Sequence, residues 1–381
     1  MTRTVLLTGA TGALGPHLLM ELLRCDEIER VFALVRGRGR LFDDHVRDTI
    51  AAVARLESDS GTAIPLDRLR FIAGDVCDPR LTAVRRDGDM LAGSVDLVVH
   101  AAANTCLTAS VDRLRDVNVG GTQHMLDFAG RCRSLRQFLF VSTVCVAGTR
   151  TGSIAERFED DPPSFVNFYE QTKWEAERLV ATSPLPARIG RLSVCMGSQD
   201  AGYVHRFGAI HHSLQWLMRG LIPMMPGVSG STIDIIANDV AAKWIARAAL
   251  TEVERLDVCH VAAGTQAPTL VALLDATIER LRLHSSGRPL DVPLIVDRQT
   301  FDLFRRSVER SGDVIFTRVL DAAAAFLPLL LYSKVFETER AEQCWGGRLP
   351  HPEWQTLLAR VIDFGCANNW KDARAREVVH V

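Results

Sequence analysis

Short runs of apolar, β-branched residues alternate with stretches of helical periodicity over residues 1–200. Continuous apolar runs of this length are typical of strands that are buried on both faces of a parallel sheet. The predicted strands cover residues 4–7, 31–35, 69–73, 95–100, 137–142 and 187–194. The helices predicted between them include residues 13–23, 43–56, 109–131 and 169–181. This alternation, with right-handed crossovers, predicts an α/β fold with a doubly wound parallel sheet, as in a Rossmann domain.

The hydrophobic pattern changes after about residue 200, where helices predominate. A loop rich in proline and glycine occupies residues 221–230, and the chain then returns to short strand-like runs before a long, mostly helical tail. We therefore predict two domains. The Rossmann domain comprises residues 1–200 and 233–263, and a smaller, mostly helical substrate-binding or capping domain comprises residues 201–232 and 264–381.

Three glycines at positions 9, 12 and 15 join the first predicted strand to the first predicted helix. In such a turn one glycine allows the tight bend, one lets the backbone approach a pyrophosphate, and one lets the helix pack on the strand. The helix then directs its free N–H groups at the phosphates. The pattern predicts a dinucleotide site at Thr8, Gly9, Thr11, Gly12, Ala13, Leu14 and Gly15.

The end of the second predicted strand indicates which dinucleotide is bound. About 20 residues past the glycines, NAD users commonly carry an acidic residue that holds the ribose hydroxyls. Here the segment after Val35 contains Arg36 and Arg38 and no acid. An arginine suits a 2′-phosphate, which it can hold through paired charge-assisted hydrogen bonds. The sequence favours NADPH over NADH; the alternative is that both arginines only solvate a loop.

Tyr169 and Lys173 lie four residues apart in a predicted helix, in a chain that has 3 tyrosines. This spacing places both side chains on one helix face. An ammonium beside a phenol favours the phenolate, so we expect Lys173 to lower the pKa of Tyr169 and to make it a proton donor and acceptor. The alternative is a surface contact without a chemical role.

The overall composition narrows the function classes. A net charge of −2 provides no basic surface for nucleic acid. The 9 cysteines show no CxxC or metal-ligand spacing, so we expect neither a metal site nor a disulfide framework. The longest apolar run is too short to span a bilayer, and the strand-like run at the start leaves no room for a signal peptide. We therefore expect a cytoplasmic protein without a transmembrane segment.

Taken together, these segments resemble the extended short-chain dehydrogenase/reductases, and within them the fatty acyl-CoA reductase and thioester reductase-like branch. Besides the glycine turn and the Tyr–Lys pair, the matching motifs lie at residues 74–76, 98–103, 118–122, 141–144 and 191–193. The runs Val-Ser-Thr-Val and Thr-Lys-Trp-Glu-Ala-Glu, which begin at Val141 and Thr172, favour the thioester reductase-like branch. The resemblance extends over most of residues 1–240.

The resemblance implies a role for each matching residue. Thr143 would hydrogen-bond the substrate carbonyl, Tyr169 would deliver the proton, and Lys173 would also hold the nicotinamide ribose. Because neighbours on an extended strand point to opposite faces, only one of Ser142 and Thr143 can serve, and Thr143 is favoured. The remaining cofactor residues, with Asn118 in a supporting helix, would be Asp75, Val76, Ala101, Ala102, Ala103, Asn118 and Cys195.

The leading hypothesis is an NADPH-dependent reductase of an acyl thioester, bound to coenzyme A or to a carrier protein, or of the derived aldehyde. Alternatives in the same superfamily are a ketone or hydroxysteroid-type reductase and a sugar-nucleotide epimerase or dehydratase. A non-catalytic regulator that senses the dinucleotide need not keep both Tyr169 and Lys173. Candidate partners are an acyl carrier protein and a second copy of the chain. The acyl group, its carrier and the number of electrons transferred stay open.

Overall fold

The computed structural model describes residues 2–36, 64–81, 85–285 and 287–372. Short parallel strands recur along this part of the chain. They are β1 (Arg3–Thr8), β2 (Ile28–Val35), β3 (Leu69–Ala73), β4 (Leu97–His100), β5 (Gln137–Thr143), β6 (Gly152–Ile154), β7 (Ala187–Leu192), β8 (Val194–Cys195), β9 (Met224–Pro226), β10 (Ile235–Ile236), β11 (Asp257–Val261), β12 (Leu294–Val296) and β13 (Lys334–Phe336).

Helices connect these strands and are the predominant regular element in the last third of the chain. They are α1 (Gly15–Arg24), α2 (Arg85–Ser94), α3 (Val111–Arg115), α4 (Gly121–Ala129), α5 (Phe168–Thr182), α6 (Ala209–Met218), α7 (Asn238–Leu250), α8 (Leu270–Arg282), α9 (Arg298–Ser311), α10 (Val314–Ala324), α11 (Glu339–Trp345) and α12 (Trp354–Ala367). The helix predicted at 43–56 lies outside the described residues.

Seven strands form one parallel sheet in the order β11-β7-β5-β4-β1-β2-β3. The strand order reverses between β1 and β4, and in doubly wound sheets ligands bind at the carboxyl ends of the strands beside such a reversal. The predicted fold class is confirmed. The topology places the ends of β1, β2, β4 and β5 along one edge, where the site must be sought.

Apolar cores cover both faces of the sheet. On β1, Val5 and Leu7 pack in a core that includes Leu18 of α1 and Trp244 of α7, whereas Leu6 belongs to a core on the other face with Met125 of α4. Consecutive strand residues point to opposite faces, so a strand covered on both faces is apolar throughout. Full burial of one such side chain stabilises the fold by about 1.5–3 kcal/mol.

A third apolar core gathers α6, α8, α10 and α12, together with residues of β8 and β10. Three short two-stranded sheets accompany this core: β9 pairs with β12 within it, β8 pairs with β10 at its border, and β6 with β13 joins it to the first part of the chain. The predicted division into two domains is compatible with this separate core, and its boundaries stay a prediction. In the described part of the chain, every helix falls short of the length and apolarity that crossing a membrane requires.

Two predicted elements differ from those observed. The helix predicted at 109–131 contains a π-helical turn at Asp116–Gly120 between α3 and α4. The strand predicted at 187–194 divides at Ser193, whose hydroxyl donates to the carbonyl of Asp234 at 2.7 Å. The chain therefore leaves the main sheet after Leu192, and the following two residues pair with β10.

Candidate active site

The turn between β1 and α1 requires glycine at two of its three predicted positions. Gly9 has a φ of 81°, and a Cβ there would lie 2.6 Å from the carbonyl carbon of Ala101. A Cβ on Gly15 would lie 2.1 Å from the carbonyl oxygen of Ala10. Both distances are far below van der Waals contact, so the tight turn and the close packing of helix on strand depend on these glycines.

The N-terminus of α1 is suited to an anion. The helix begins at Gly15 with no side-chain cap at Leu14 and no acidic residue in its first turn. Its N–H groups and the positive end of the helix dipole therefore face the mouth of the turn. The turn residues Thr11, Gly12 and Ala13 border this point, and Thr11 is half-buried. The cradle fits the pyrophosphate of a dinucleotide.

Thr8 has a different position from the rest of the turn. Its side chain is buried, and its hydroxyl lies 2.8 Å from Nδ1 of His100 and accepts from the amide of Ala102 at 3.1 Å. His100 also contacts the Thr122 hydroxyl at 3.1 Å. The Thr8 side chain thus connects β1 to the residues that follow β4, at the base of the predicted site.

The predicted adenine side lies at the ends of β2, β3 and β4. Arg36 directly follows β2 and is exposed. The carboxylate of Asp75 accepts from the amide of Cys77 at 3.0 Å, and Val76 is buried beside it. The half-buried residues Ala101, Ala102 and Ala103 follow β4. The topology thus brings these residues to the same sheet edge as the glycine turn; Arg38 lies outside the described residues.

Asn118 lies in the π-helical turn and is buried. Its side-chain oxygen accepts from the amide of Asn104 at 2.8 Å, and its amide donates to the carbonyl of Asn104 and to the hydroxyl of Thr172, both at 3.1 Å. These bonds join the segment after β4 to α5. Because both side-chain N–H groups are used in this way, the geometry gives Asn118 a supporting position, and its contact with the cofactor stays a prediction.

Thr143 and Tyr169 meet at the carboxyl end of β5. Thr143 is the last residue of that strand, and its hydroxyl accepts from the amide of Cys145 at 3.2 Å. The same hydroxyl lies close enough to the phenol of Tyr169 to lower the pKa of that phenol. Ser142 is buried, and among the described residues its hydroxyl has no hydrogen-bond partner. Thr143 rather than Ser142 thus lies near the phenol, and the catalytic role of Thr143 stays a prediction.

Lys173 lies one helical turn after Tyr169 and is buried under the end of β5. Its ammonium donates to the carbonyl of Val141 at 2.9 Å and lies 4.0 Å from the centre of the Phe140 ring. Burial lowers the pKa of Lys173 to about 7, and the neighbouring Glu177 partly opposes that change. At neutral pH this residue is therefore poised between its charged and neutral forms.

The pKa of Tyr169 departs from its ordinary value in the direction opposite to the one predicted. Burial raises it, the neighbouring Cys145 raises it further, and the hydrogen bond with Thr143 lowers it only in part. The sequence predicts the proximity of a lysine but not that its ammonium is directed at a backbone carbonyl. In this environment the phenol stays protonated at neutral pH.

Two thiols lie close enough to Tyr169 to influence its pKa, those of Cys145 and Cys195. Burial raises their own pKa values, to about 11 for Cys145 and about 12 for Cys195. A protonated thiol is a weak nucleophile. The place of Cys195 near the nicotinamide stays a prediction, and neither thiol is arranged for covalent catalysis. In the described part of the chain, no cluster of histidine, cysteine and carboxylate side chains could hold a metal ion.

Several residues of this region are not predicted from the sequence. Asn104 and Thr172 anchor Asn118, whereas Asn167 and Glu170 form the N-terminal turn of α5. For the second pair a signal was present, because an N-cap asparagine followed three residues later by glutamate resembles a capping box. The partners of Asn118 lie 14 and 54 residues from it in the chain, and no local pattern connects them.

Comparison with known proteins adds family and fold relationships to this geometry. The chain is 29% identical over 263 residues to a linear gramicidin synthase subunit of Brevibacillus parabrevis, and the match covers 66% of this chain and 5% of that protein. The chain spans between 5% and 26% of the length of the first three curated relatives that it matches.

Two solved structures share the fold over nearly the whole chain. The terminal R domain of the myxalamid PKS-NRPS pathway superposes with a TM-score of 0.79 at 22% identity, over 98% of this chain and 92% of that one. A thiolation-reductase di-domain of an archaeal non-ribosomal peptide synthetase gives 0.70 at 21% identity, over 97% and 76%.

The model of the male sterility protein family, an NAD-binding family, matches residues 7–245. That range includes the glycine turn, Asn118, Thr143 and the Tyr169–Lys173 helix. The predicted class, an oxidoreductase that uses a nicotinamide cofactor, is confirmed at this level. With more than half of its length matched and with the strand order of a doubly wound sheet, the chain belongs to the male sterility protein family and has the fold of the extended short-chain dehydrogenase/reductases.

Proposed function

We propose that the protein reduces an acyl thioester with NADPH, releasing the aldehyde and the free thiol. The observation that carries this proposal is the meeting of the Tyr169 phenol with the Thr143 hydroxyl at the end of β5, with Lys173 one turn below. Two hydrogen-bond donors directed at one point can bind the oxygen of a carbonyl group, where charge develops during hydride transfer.

The bound cofactor would supply the hydride from its nicotinamide ring. Thr143 and Tyr169 would hold the thioester oxygen, and Tyr169, protonated at neutral pH, would give that oxygen its proton. Addition of hydride to carbon and of a proton to oxygen yields a hemithioacetal. Breakage of its C–S bond, with the hydroxyl proton passing to sulfur, gives one aldehyde and one thiol. These steps require no enzyme thiol, in agreement with the raised pKa values of Cys145 and Cys195.

Arg36 supports the choice of NADPH. It directly follows β2 and is exposed. Burial raises the pKa of Cys77 and the charge of Arg36 opposes that change, which supports a position of the guanidinium close to the Asp75–Cys77 turn. A 2′-phosphate at the end of β2 would meet this guanidinium instead of the carboxylate that NAD enzymes commonly place there. For the acyl carrier, the di-domain relative joins a thiolation domain to a reductase, which favours a carrier-bound thioester over one of free coenzyme A.

The proposal is tested with a panel of substrates. Acyl thioesters of coenzyme A and of a carrier protein, aldehydes, ketones and a UDP-sugar are each mixed with the protein and NADPH, and products are identified by mass spectrometry. We expect NADPH consumption, aldehyde and free thiol in equal amounts with a thioester. Turnover of the UDP-sugar alone, or of ketones alone, would contradict the proposal.

The Tyr169→Phe variant tests the role of the phenol within the same assay. It should reduce the chemical step by about 10²–10⁴-fold, the usual contribution of a positioned acid, while NADPH affinity stays close to that of the wild type. Tyr203→Phe is the matched control, because Tyr203 is a buried tyrosine that lies between His17 and Phe364. Equal activity of Tyr169→Phe and wild type would remove Tyr169 from the mechanism.

A further inference from the structure

The helix that carries Tyr169 begins with a reciprocal capping arrangement. The side-chain oxygen of Asn167 accepts from the amide of Glu170 at 3.0 Å, and the carboxylate of Glu170 accepts from the amide of Val166 at 3.0 Å. These bonds satisfy N–H groups at the start of the helix that have no partner within it. Tyr169 is the second residue of α5, so its backbone position depends directly on this turn.

The side-chain amide of Asn167 also reaches a distant part of the chain. Besides its bond to Glu170 at 3.0 Å, it donates to the carbonyl of Ala325 at 3.1 Å, 158 residues further on. Ala325 is the C-cap of α10. A serine would cap α5 as well as asparagine does, but it has no N–H group that could reach this carbonyl. The asparagine therefore makes a link that capping alone does not require.

A buried lysine makes a second link to the same turn. Lys334 on β13 is 9% exposed, and its ammonium donates to the carbonyl of Tyr332 at 3.1 Å. Burial raises the pKa of Glu170 to about 7, and the charge of Lys334 opposes that change. Burial likewise lowers the pKa of Lys334, and Glu170 favours its charged form. Lys334 and Glu170 thus each favour the charged form of the other.

The position of that segment is set by the third apolar core. Val319, Leu320 and Ala323 of α10 and Leu327 just beyond it are all buried there. The carbonyl of Ala325 lies between these anchors, and pairing of β13 with β6 fixes Lys334. A displacement of this core, by an acyl group packed against it or by its removal, would move the Ala325 carbonyl that holds the N-terminus of α5.

We propose that Asn167 is a positioning residue that clamps the first turn of α5 to the end of α10 at the third apolar core, with the charge of Lys334 acting on the same turn, so that a substrate bound against this core sets the position of Tyr169. The substrate in this inference rests on the proposed function, whereas the clamp itself does not depend on that function. Its role is to hold the proton donor within reach of the reacting oxygen, and a shift of about 1 Å at such a group can reduce the rate about a hundredfold.

The decisive variant is Asn167→Ser, which keeps the cap and removes the amide N–H groups. We expect a Tm close to that of the wild type, a kcat lowered about ten- to a hundredfold and an unchanged KM for NADPH. Hydrogen exchange of the amides of residues 168–173, followed by mass spectrometry without substrate, should become faster. Asp297→Ala is the matched control: it removes the cap of α9, where Asp297 accepts from the amide of Thr300 at 2.8 Å, and should lower Tm without changing kcat.

Lys334→Met and Lys334→Arg test the second link. Methionine should reproduce the kinetic defect of Asn167→Ser, and arginine should restore most of the activity because it restores the charge. If the two links act as one clamp, the double variant Asn167→Ser/Lys334→Met should be no slower than the worse single variant. Fully additive losses would contradict a single clamp.

The exchange measurement separates this inference from the proposed function. If the wild type reduces no thioester but residues 168–173 still exchange faster in Asn167→Ser, the proposed function fails and the clamp stands. Wild-type exchange and wild-type kcat in Asn167→Ser would overturn the clamp, whatever the substrate. A change in Tm alone would also overturn it, since that result means an ordinary structural role.

Discussion

Replacement of Lys173 by methionine is expected to make the protein inactive and more stable. Methionine keeps the length of the side chain and removes its charge. Burial lowers the pKa of Lys173 from 10.5 to about 7 in the folded protein, whereas the unfolded chain restores the ordinary value. At any pH below 10.5, folding must therefore either bury the charged Lys173 or remove a proton from it, and both cost free energy. The methionine variant does not have this cost.

The magnitude follows from the same two values. The difference between 10.5 and about 7 corresponds to about 5 kcal/mol, at about 1.4 kcal/mol for each pKa unit. Methionine leaves the carbonyl of Val141 without its donor, which costs about 1–3 kcal/mol, and a sulfur contact replaces the ammonium over the Phe140 ring. The variant should thus gain about 2–4 kcal/mol in free energy of unfolding at pH 7.

The pH dependence checks both the sign and the cause. A lysine whose folded pKa is depressed contributes its stability above the unfolded pKa and loses it as the pH falls through the folded pKa. The difference in Tm between Lys173→Met and wild type should therefore be greatest at about pH 7 and below, and should close as the pH approaches 10.5. The exposed Lys371 provides the control variant Lys371→Met, whose difference should stay level. A less stable Lys173→Met protein at pH 7, or a difference that does not close, would refute the reasoning.

Three further predictions follow from other parts of the structure. Arg36→Glu should shift the preference from NADPH towards NADH, measured as the ratio of the two kcat/KM values, and an unchanged ratio would remove Arg36 from cofactor selection. Gly15→Ala forces a Cβ to 2.1 Å from the carbonyl oxygen of Ala10, so this variant should have a lower Tm and should not bind the dinucleotide. A Cβ at Gly12 would lie 3.2 Å from the carbonyl oxygen of Gly9, so Gly12→Ala should fold and should bind the dinucleotide more weakly than the wild type. Burial raises the pKa of Glu156 from 4.5 to about 7. The stability that this carboxyl contributes is therefore present below pH 4.5 and is lost as the pH rises to about 7. Measured by calorimetry, the Tm of Glu156→Gln should rise relative to that of the wild type over this interval.

The sequence predicts the sheet and the chemical residues because both depend on local patterns. Apolar runs such as that of β4 indicate burial on both faces of the sheet. The glycine spacing indicates a turn in which Gly9 and Gly15 have no room for a Cβ. The Tyr169–Lys173 spacing likewise reports a shared helix face. In each case the physical constraint acts between residues that are close in the chain, so it is visible as a local sequence pattern.

The parts that the sequence does not predict depend on long-range contacts. The pKa direction of Tyr169 depends on burial and on the Val141 carbonyl that takes the Lys173 ammonium, 32 residues away in the chain. The break after Leu192 depends on the hydroxyl of Ser193 meeting Asp234 across 41 residues. The bond from Asn167 to Ala325 spans 158 residues. None of these partners is marked by periodicity or spacing.

The electrostatics of the site favour reduction over oxidation. Hydride addition to a carbonyl carbon leaves charge on its oxygen, so the neighbouring acid must still hold a proton when the hydride arrives. Burial keeps the Tyr169 phenol in that form across the neutral range, because it raises the pKa more than the Thr143 hydrogen bond lowers it. The reverse reaction needs the ionised phenol, which becomes populated only as the pH approaches this raised pKa. Burial therefore has two effects at this site: it makes Lys173 destabilise the fold, and it keeps the Tyr169 phenol protonated and able to donate its proton. The fold loses stability at Lys173, a residue that the proposed chemistry requires.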